Sequence, residues 1–198
     1  MIKKIVSYVN EDGFEFNFEP IEDTLSIKKT KDGFEARYLI QDEMCESPDE
    51  DKDDGVFLVN YHSDFQVERD DIIIEDDVKA WYQATRKVSQ LKEYHVFALA
   101  CLVHSGVWLS LESNFHCDPG GWDTSHVGMV LVSKKETKKV EKASELAQGL
   151  VEHWNKYLTG DVYCGVKETY SRKKEPIDYD VFGGCFGYEN AKESLKEI

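Results

Sequence analysis

Apolar and polar residues alternate along the first forty positions, so Ile2 to Val9, Phe14 to Phe18, Leu25 to Lys29 and Phe34 to Ile40 read as strands of period two. Glu11-Asp12-Gly13 and Lys31-Asp32-Gly33 lie between them, and each Asp-Gly marks a hairpin. A short apolar run, Gly55 to Tyr61, follows. The period then changes: across Glu75 to Lys92, residues Val78, Trp81, Tyr82, Thr85 and Val88 share one helical face. Acids open that stretch and Arg86, Lys87 and Lys92 close it, as the helix dipole prefers. Tyr94 to Val103, Gly106 to Leu111 and His126 to Ser133 are rich in aromatic and β-branched residues and predict buried strands.

The pattern predicts a second helix from Lys134 to Leu158. Ser133-Lys-Lys-Glu136 has the capping-box spacing, the apolar positions from Val140 to Leu158 recur at threes and fours, and Gly160 supplies a stop. Such an amphipathic helix needs a sheet to pack on. Asp161 to Tyr170 and Tyr179 to Tyr188 read as strands, and Asn190 to Ile198 as a short closing helix. With no internal repeat and no linker, the expectation is one α+β domain over residues 1–198, mostly antiparallel sheet packed by two main helices. Residues 42–54 form an acidic loop or insertion in it.

Charge sharpens this picture more than composition does. The 198 residues are 41% apolar, enough to bury a core, and carry a net charge of −15. That balance opposes nonspecific binding to nucleic acid or to anionic membranes. Residues 42–77 hold 15 acids against 2 bases and so supply −13 of the total, whereas residues 78–198 are balanced at 16 and 16. The candidate binding residues are therefore Asp49, Glu50, Asp51, Asp53 and Asp54 in the first run and Asp70, Asp71, Glu75, Asp76 and Asp77 in the second. The apolar strand between the runs pins them to a sheet, so their carboxylates can imitate the phosphate spacing of a duplex and meet a basic partner. Calcium does not fit: counting from Asp49, the sixth and twelfth places hold Asp54 and Asn60 where a calcium loop needs Gly and Glu.

Catalytic chemistry concentrates between Cys101 and His126. His104, His116, Cys117, Asp123 and His126 lie there on strands and a loop of turn formers, a setting in which sites are often built. Phosphate loop, dinucleotide fingerprint, nucleophile elbow and H-E-x-x-H motif are all missing from the sequence. The five cysteines form no C-x-x-C pair, match no zinc spacing and read as reduced. No metal or cofactor is expected. With no apolar stretch of membrane-spanning length and no secretory signal, the chain reads as cytoplasmic.

Two resemblances follow from these residues. Asp123-Thr-Ser-His126-Val-Gly-Met-Val-Leu resembles the histidine strand of the NlpC-type cysteine peptidases, in which a His opening a strand activates a Cys. The cysteine half of that motif is missing here, so the resemblance implies a small hydrolase with His126 as its base, and the residue cluster itself adds Cys117, Asp123 and His104 as catalytic candidates. A longer string comprises His104-Ser-Gly106, Phe115-x-Cys117, Trp122-Asp123, Val127-Gly128, Tyr157-Leu-Thr-Gly-Asp-Val-Tyr163 and Gly183-x-Cys-Phe-Gly-Tyr188. It resembles small accessory proteins encoded by phages and mobile elements of bacteria, whose pattern has Gln at the position of His126. That resemblance implies a setting, host defence evasion, and no reaction. Together with the charge it gives the leading expectation: a non-enzymatic inhibitor or DNA mimic that blocks a basic, nucleic-acid-binding host protein such as a restriction or CRISPR effector. A Cys/His/Asp pocket, in a hydrolase or ligand-binding protein, is the alternative.

Overall fold

The computed structural model describes residues 5–21, 23–48, 55–62, 66–67, 92–104, 106–111 and 115–198. In chain order the strands are β1 (Val6–Val9), β2 (Glu15–Phe18), β3 (Ser26–Lys29), β4 (Gly33–Gln41), β5 (Val56–Tyr61), β6 (Gln66–Val67), β7 (Tyr94–Val103), β8 (Val107–Ser110) and β9 (Thr124–Ser133). Helix α1 (Val140–Thr159), β10 (Val162–Ser171), β11 (Pro176–Phe186) and helix α2 (Tyr188–Ser194) follow among the described residues. Among the described residues all strand pairs are antiparallel, and the architecture is α+β as the sequence pattern predicts. Where the sequence suggests one compact unit, contacts gather into two: Met1–Glu46 with Gly160–Ile198, and Ser47–Thr159. The second is inserted whole into the first, which explains why no linker composition marks the boundary.

In the first unit a four-stranded sheet has the order β11-β10-β4-β3, and β1 and β2 form a separate hairpin. Alternation along β4 sends Phe34, Ala36 and Tyr38 to one face, where they bury with Phe16, Phe18 and Val166. The rings interlock, with Phe16 edge-on to Phe34 at 4.6 Å and Tyr8 edge-on to Phe34 at 4.9 Å. Leu39 and Tyr163 pack with Ala191 and Leu195, the latter just beyond α2. The two Asp-Gly signals work for different reasons. Gly13 adopts φ 82 in the β1–β2 turn, where the Asn10 side-chain oxygen accepts the Asp12 and Phe14 amides. Gly33 is needed for space, because a Cβ there would lie 1.8 Å from the Tyr170 carbonyl oxygen.

In the second unit the sheet order is β6-β5-β9-β7-β8, and α1 lies on one face. Ala143, Ala147, Val151 and Trp154, spaced at three and four, bury against Leu58, Leu99, Cys101, Leu109, Val130 and Val132. The helix begins at Val140 and not at Lys134. Ser133 and Lys134 are still tied to the sheet through their amides, to Gly55 and Glu93 carbonyls, and the Ser133 carbonyl accepts the Glu136 amide to close a turn. The capping-box residues therefore build that turn; the first helical bond runs from Ala143 to Lys139. At the other end Gly160, at φ 71, stops the helix as expected.

Other boundaries shift less: β11 starts three residues before the expected Tyr179, and α2 spans Tyr188–Ser194 instead of Asn190 to Ile198. Within the predicted helix Glu75 to Lys92, residues 75–91 lie outside the described residues. So do residues 49–54 of the acidic insertion.

Candidate functional site

The loop from Phe115 to Thr124 is organised by one side chain, Asp118. Its Oδ1 accepts the Trp122 amide at 3.0 Å, and its Oδ2 accepts the Asp123 amide at 2.9 Å and the Thr124 hydroxyl at 2.7 Å. Its own amide donates to Phe115 and its carbonyl accepts from Gly121. The Thr124 hydroxyl, helped by the Trp122 and Asp123 amides, holds the Asp118 carboxyl below the usual carboxylate range. A short polar residue before Pro119-Gly120-Gly121 favours such a turn, which is the signal that marks Asp118 in the sequence. This brace fixes the loop while leaving its neighbours exposed.

Trp122 is 90% exposed, and its indole lies so close to Gly120 that a Cβ on that residue would sit 2.5 Å from the ring. The loop is thus a fixed mount for a bare aromatic side chain. It also joins the end of the sheet, since the Val103 amide donates to the Asp123 carbonyl and the His104 amide to Gly106. His104 Nδ1 stands 3.5 Å from Asp123 Oδ2, so these two of the four catalytic candidates are brought together, both well exposed. Cys117 is exposed and makes no side-chain hydrogen bond among the described residues, so no Cys117–His126 pair is assembled there. His126 and His116 are exposed as well. Among the described residues no three His, Cys, Asp or Glu side chains are placed to hold a metal ion.

Asn155 of α1 completes the edge strand β8. Its carboxamide oxygen accepts the Leu109 amide at 2.7 Å and its nitrogen donates to the Leu109 carbonyl at 2.9 Å. One side chain thus takes the place of a neighbouring strand. No periodicity singles Asn155 out in the sequence.

All ten predicted binding acids, Asp49, Glu50, Asp51, Asp53, Asp54, Asp70, Asp71, Glu75, Asp76 and Asp77, lie outside the described residues. The start of the acidic segment is inside them and is anchored. Asp42 donates its amide to Val162, its Oδ2 accepts the Gly184 amide at 2.9 Å, and its Oδ1 turns the chain by accepting Met44. Burial and the adjacent Asp42 carboxylate push the Cys164 thiol up to about 12, which keeps it protonated and unreactive at neutral pH. Between the two acidic runs, Phe57, Leu58 and Val59 of β5 are buried in the second unit's sheet, paired with Leu131, Val130 and Met129 of β9.

A polar cavity of about 180 Å³ opens in the first unit, walled by Tyr8 and Phe34 and rimmed by Arg172 and the ion pair Glu11–Lys29. No protein-family model matches the chain, and neither a curated protein nor a solved structure matches it. No helix among the described residues is long and apolar enough to cross a membrane.

Proposed function

We propose that the chain is an acidic interaction protein that binds a basic, nucleic-acid-binding protein and occupies its nucleic-acid groove. The observation that carries this reading is the concentration of 15 acids against 2 bases in residues 42–77. A solvated tail would need no scaffold, yet the first run begins at Asp42, fastened to the first unit, and ends where β5 enters the second unit's sheet. Each exposed carboxylate contributes little alone, but many together steer encounter with a cationic surface, and the attraction is screened by salt. The resemblance to accessory proteins of phages supports a bacterial nuclease or defence effector as the partner and the host cytoplasm as the place of action.

The test is a pull-down from bacterial lysate with the wild-type chain and with a variant carrying Asp49→Asn, Glu50→Gln, Asp51→Asn, Asp53→Asn and Asp54→Asn. A nucleic-acid-binding protein retained by the wild type, released by duplex DNA and missing from the variant supports the reading. Equal retention by a variant of unchanged thermal stability sinks it.

The His104–Asp123 pair favours a second reading, a small hydrolase or ligand pocket, because a carboxylate beside an imidazole is the orienting half of a catalytic constellation. It requires Cys117→Ala and His126→Ala to abolish an activity that the five acidic substitutions leave intact.

A further inference from the structure

The two edges of the first unit's sheet are built differently. At one edge β3 has four residues, Ser-Ile-Lys-Lys, with both lysines exposed, a short and charged strand of the kind that resists further pairing. At the other, β11 has eleven residues and, among the described residues, pairs only with β10. From Asp178 to Phe182 its register with β10 is continuous, so its side chains alternate between faces without interruption. Tyr179 and Val181 form a stripe that is 65% and 41% exposed, and Ile177, at the register shift beside it, is 55% exposed. The stripe is the open margin of the aromatic core, since Val181 pairs with buried Val166 and Tyr179 pairs with Glu168. On the opposite face Asp178 and Asp180 are exposed and lie across from Thr169 and Lys167.

We propose that β11 receives an extended segment of a partner protein as a fifth strand, with Lys or Arg beside Asp178 and Asp180 and apolar residues beside Tyr179 and Val181. Half of the backbone amides and carbonyls of an edge strand point outward, and they supply the pairing energy while the alternating faces supply selectivity. Charge decides the occupant. A second copy of this chain, paired antiparallel about Tyr179, would set Asp178 against Asp180 twice, and like charges directly opposite destabilise a sheet. A strand with bases at alternate positions makes the same contacts attractive. The proposal goes beyond the acidic-segment reading and stands without it, because none of its residues lies between Asp42 and Asp77.

The probe is the seven-residue peptide Lys-Val-Lys-Val-Lys-Val-Lys, capped at both ends and titrated into the full chain by calorimetry at low salt. Its lysines all present their amides to one edge and its valines to the other. N-methylating only the lysines or only the valines therefore blocks one edge at a time. The expected result is binding that falls at least about tenfold with one methylated series and is kept by the other. Tyr179→Lys, and Asp178→Asn with Asp180→Asn, each weaken it by a similar factor with unchanged circular dichroism. A peptide of the same composition with its lysines in one block binds more weakly. Equal binding of the block peptide, loss in both methylated series or in neither, or no binding by the parent peptide overturns the proposal. A concentration-dependent dimer in sedimentation that Tyr179→Lys disperses overturns it in favour of a second copy.

Discussion

The first unit covers its four-stranded sheet with rings, whereas the second lays one twenty-residue helix across a five-stranded sheet. In the first, Phe16, Phe34, Tyr8 and Tyr170 hold one another through tilted and edge contacts, and polar side chains serve mainly the turns. In the second, polar side chains complete the architecture: Asn155 closes a strand edge and Asp118 fixes a loop that carries Trp122. The contrast suggests where adaptation is cheap. A ring cluster tolerates little change, while a loop held by one carboxylate can exchange the residues it presents.

The largest effects should come from the two cores. Trp154→Ala in the second unit and Phe34→Ala in the first are each expected to cost about 3–5 kcal/mol, read from denaturant unfolding. Hydrogen exchange tells them apart: Trp154→Ala should first accelerate β7, β9 and α1, and Phe34→Ala should first accelerate β1 to β4. Acceleration spread evenly over both units by either change would erase the distinction.

A smaller loss is expected from Asn155→Ala, about 1–3 kcal/mol, because the Leu109 amide and carbonyl lose their partner at a half-buried edge. The Leu109 amide should then exchange with solvent faster than its neighbours. An unchanged Leu109 amide would mean that the edge does not depend on this side chain.

The smallest effect is local and depends on pH. The Asp118 carboxyl is held below its ordinary value of 3.8, so its charge favours the ordered loop. That contribution is fully present above pH 3.8 and is lost as pH falls through the lower value of the folded loop. Acrylamide quenching of Trp122, taken as the difference from a Trp122→Phe chain, should change in this acidic window and be flat in Asp118→Ala. The same titration in both chains would show that Asp118 does not brace the loop.

Much of this was legible in the sequence, and the exceptions have physical causes. Alternation over Phe34 to Ile40 gives β4 and its inner face, because a half-buried strand leaves a period of two. The threes and fours from Val140 to Leu158 give α1 and the residues it buries. The start of α1 is not readable, because the Ser133-Lys-Lys-Glu136 spacing suits a helix cap and a turn equally, and only the sheet bonds of Ser133 and Lys134 decide between them. The division into two units leaves no trace either, since the inserted unit joins its host at Glu46–Ser47 and Thr159–Gly160 without a linker. In the loop, the sequence draws attention to its reactive residues, His104, Cys117, Asp123 and His126. Asp118, a buried residue whose carboxylate bonds three groups, is the residue that shapes it.

The balanced charge of residues 78–198 against the −13 of residues 42–77 also makes the two halves of the functional account separable. Neutralising acids should leave the Asp118 loop intact, and loosening that loop should leave the electrostatics intact. The direct measurement is the affinity of the chain for the proposed basic partner as a function of salt, for the wild type and for the variant neutralised at Asp49, Glu50, Asp51, Asp53 and Asp54. A steep decline with salt in the wild type, and weak, nearly salt-independent binding in the variant, is the predicted result. Equal affinity and equal salt dependence in the two would contradict it.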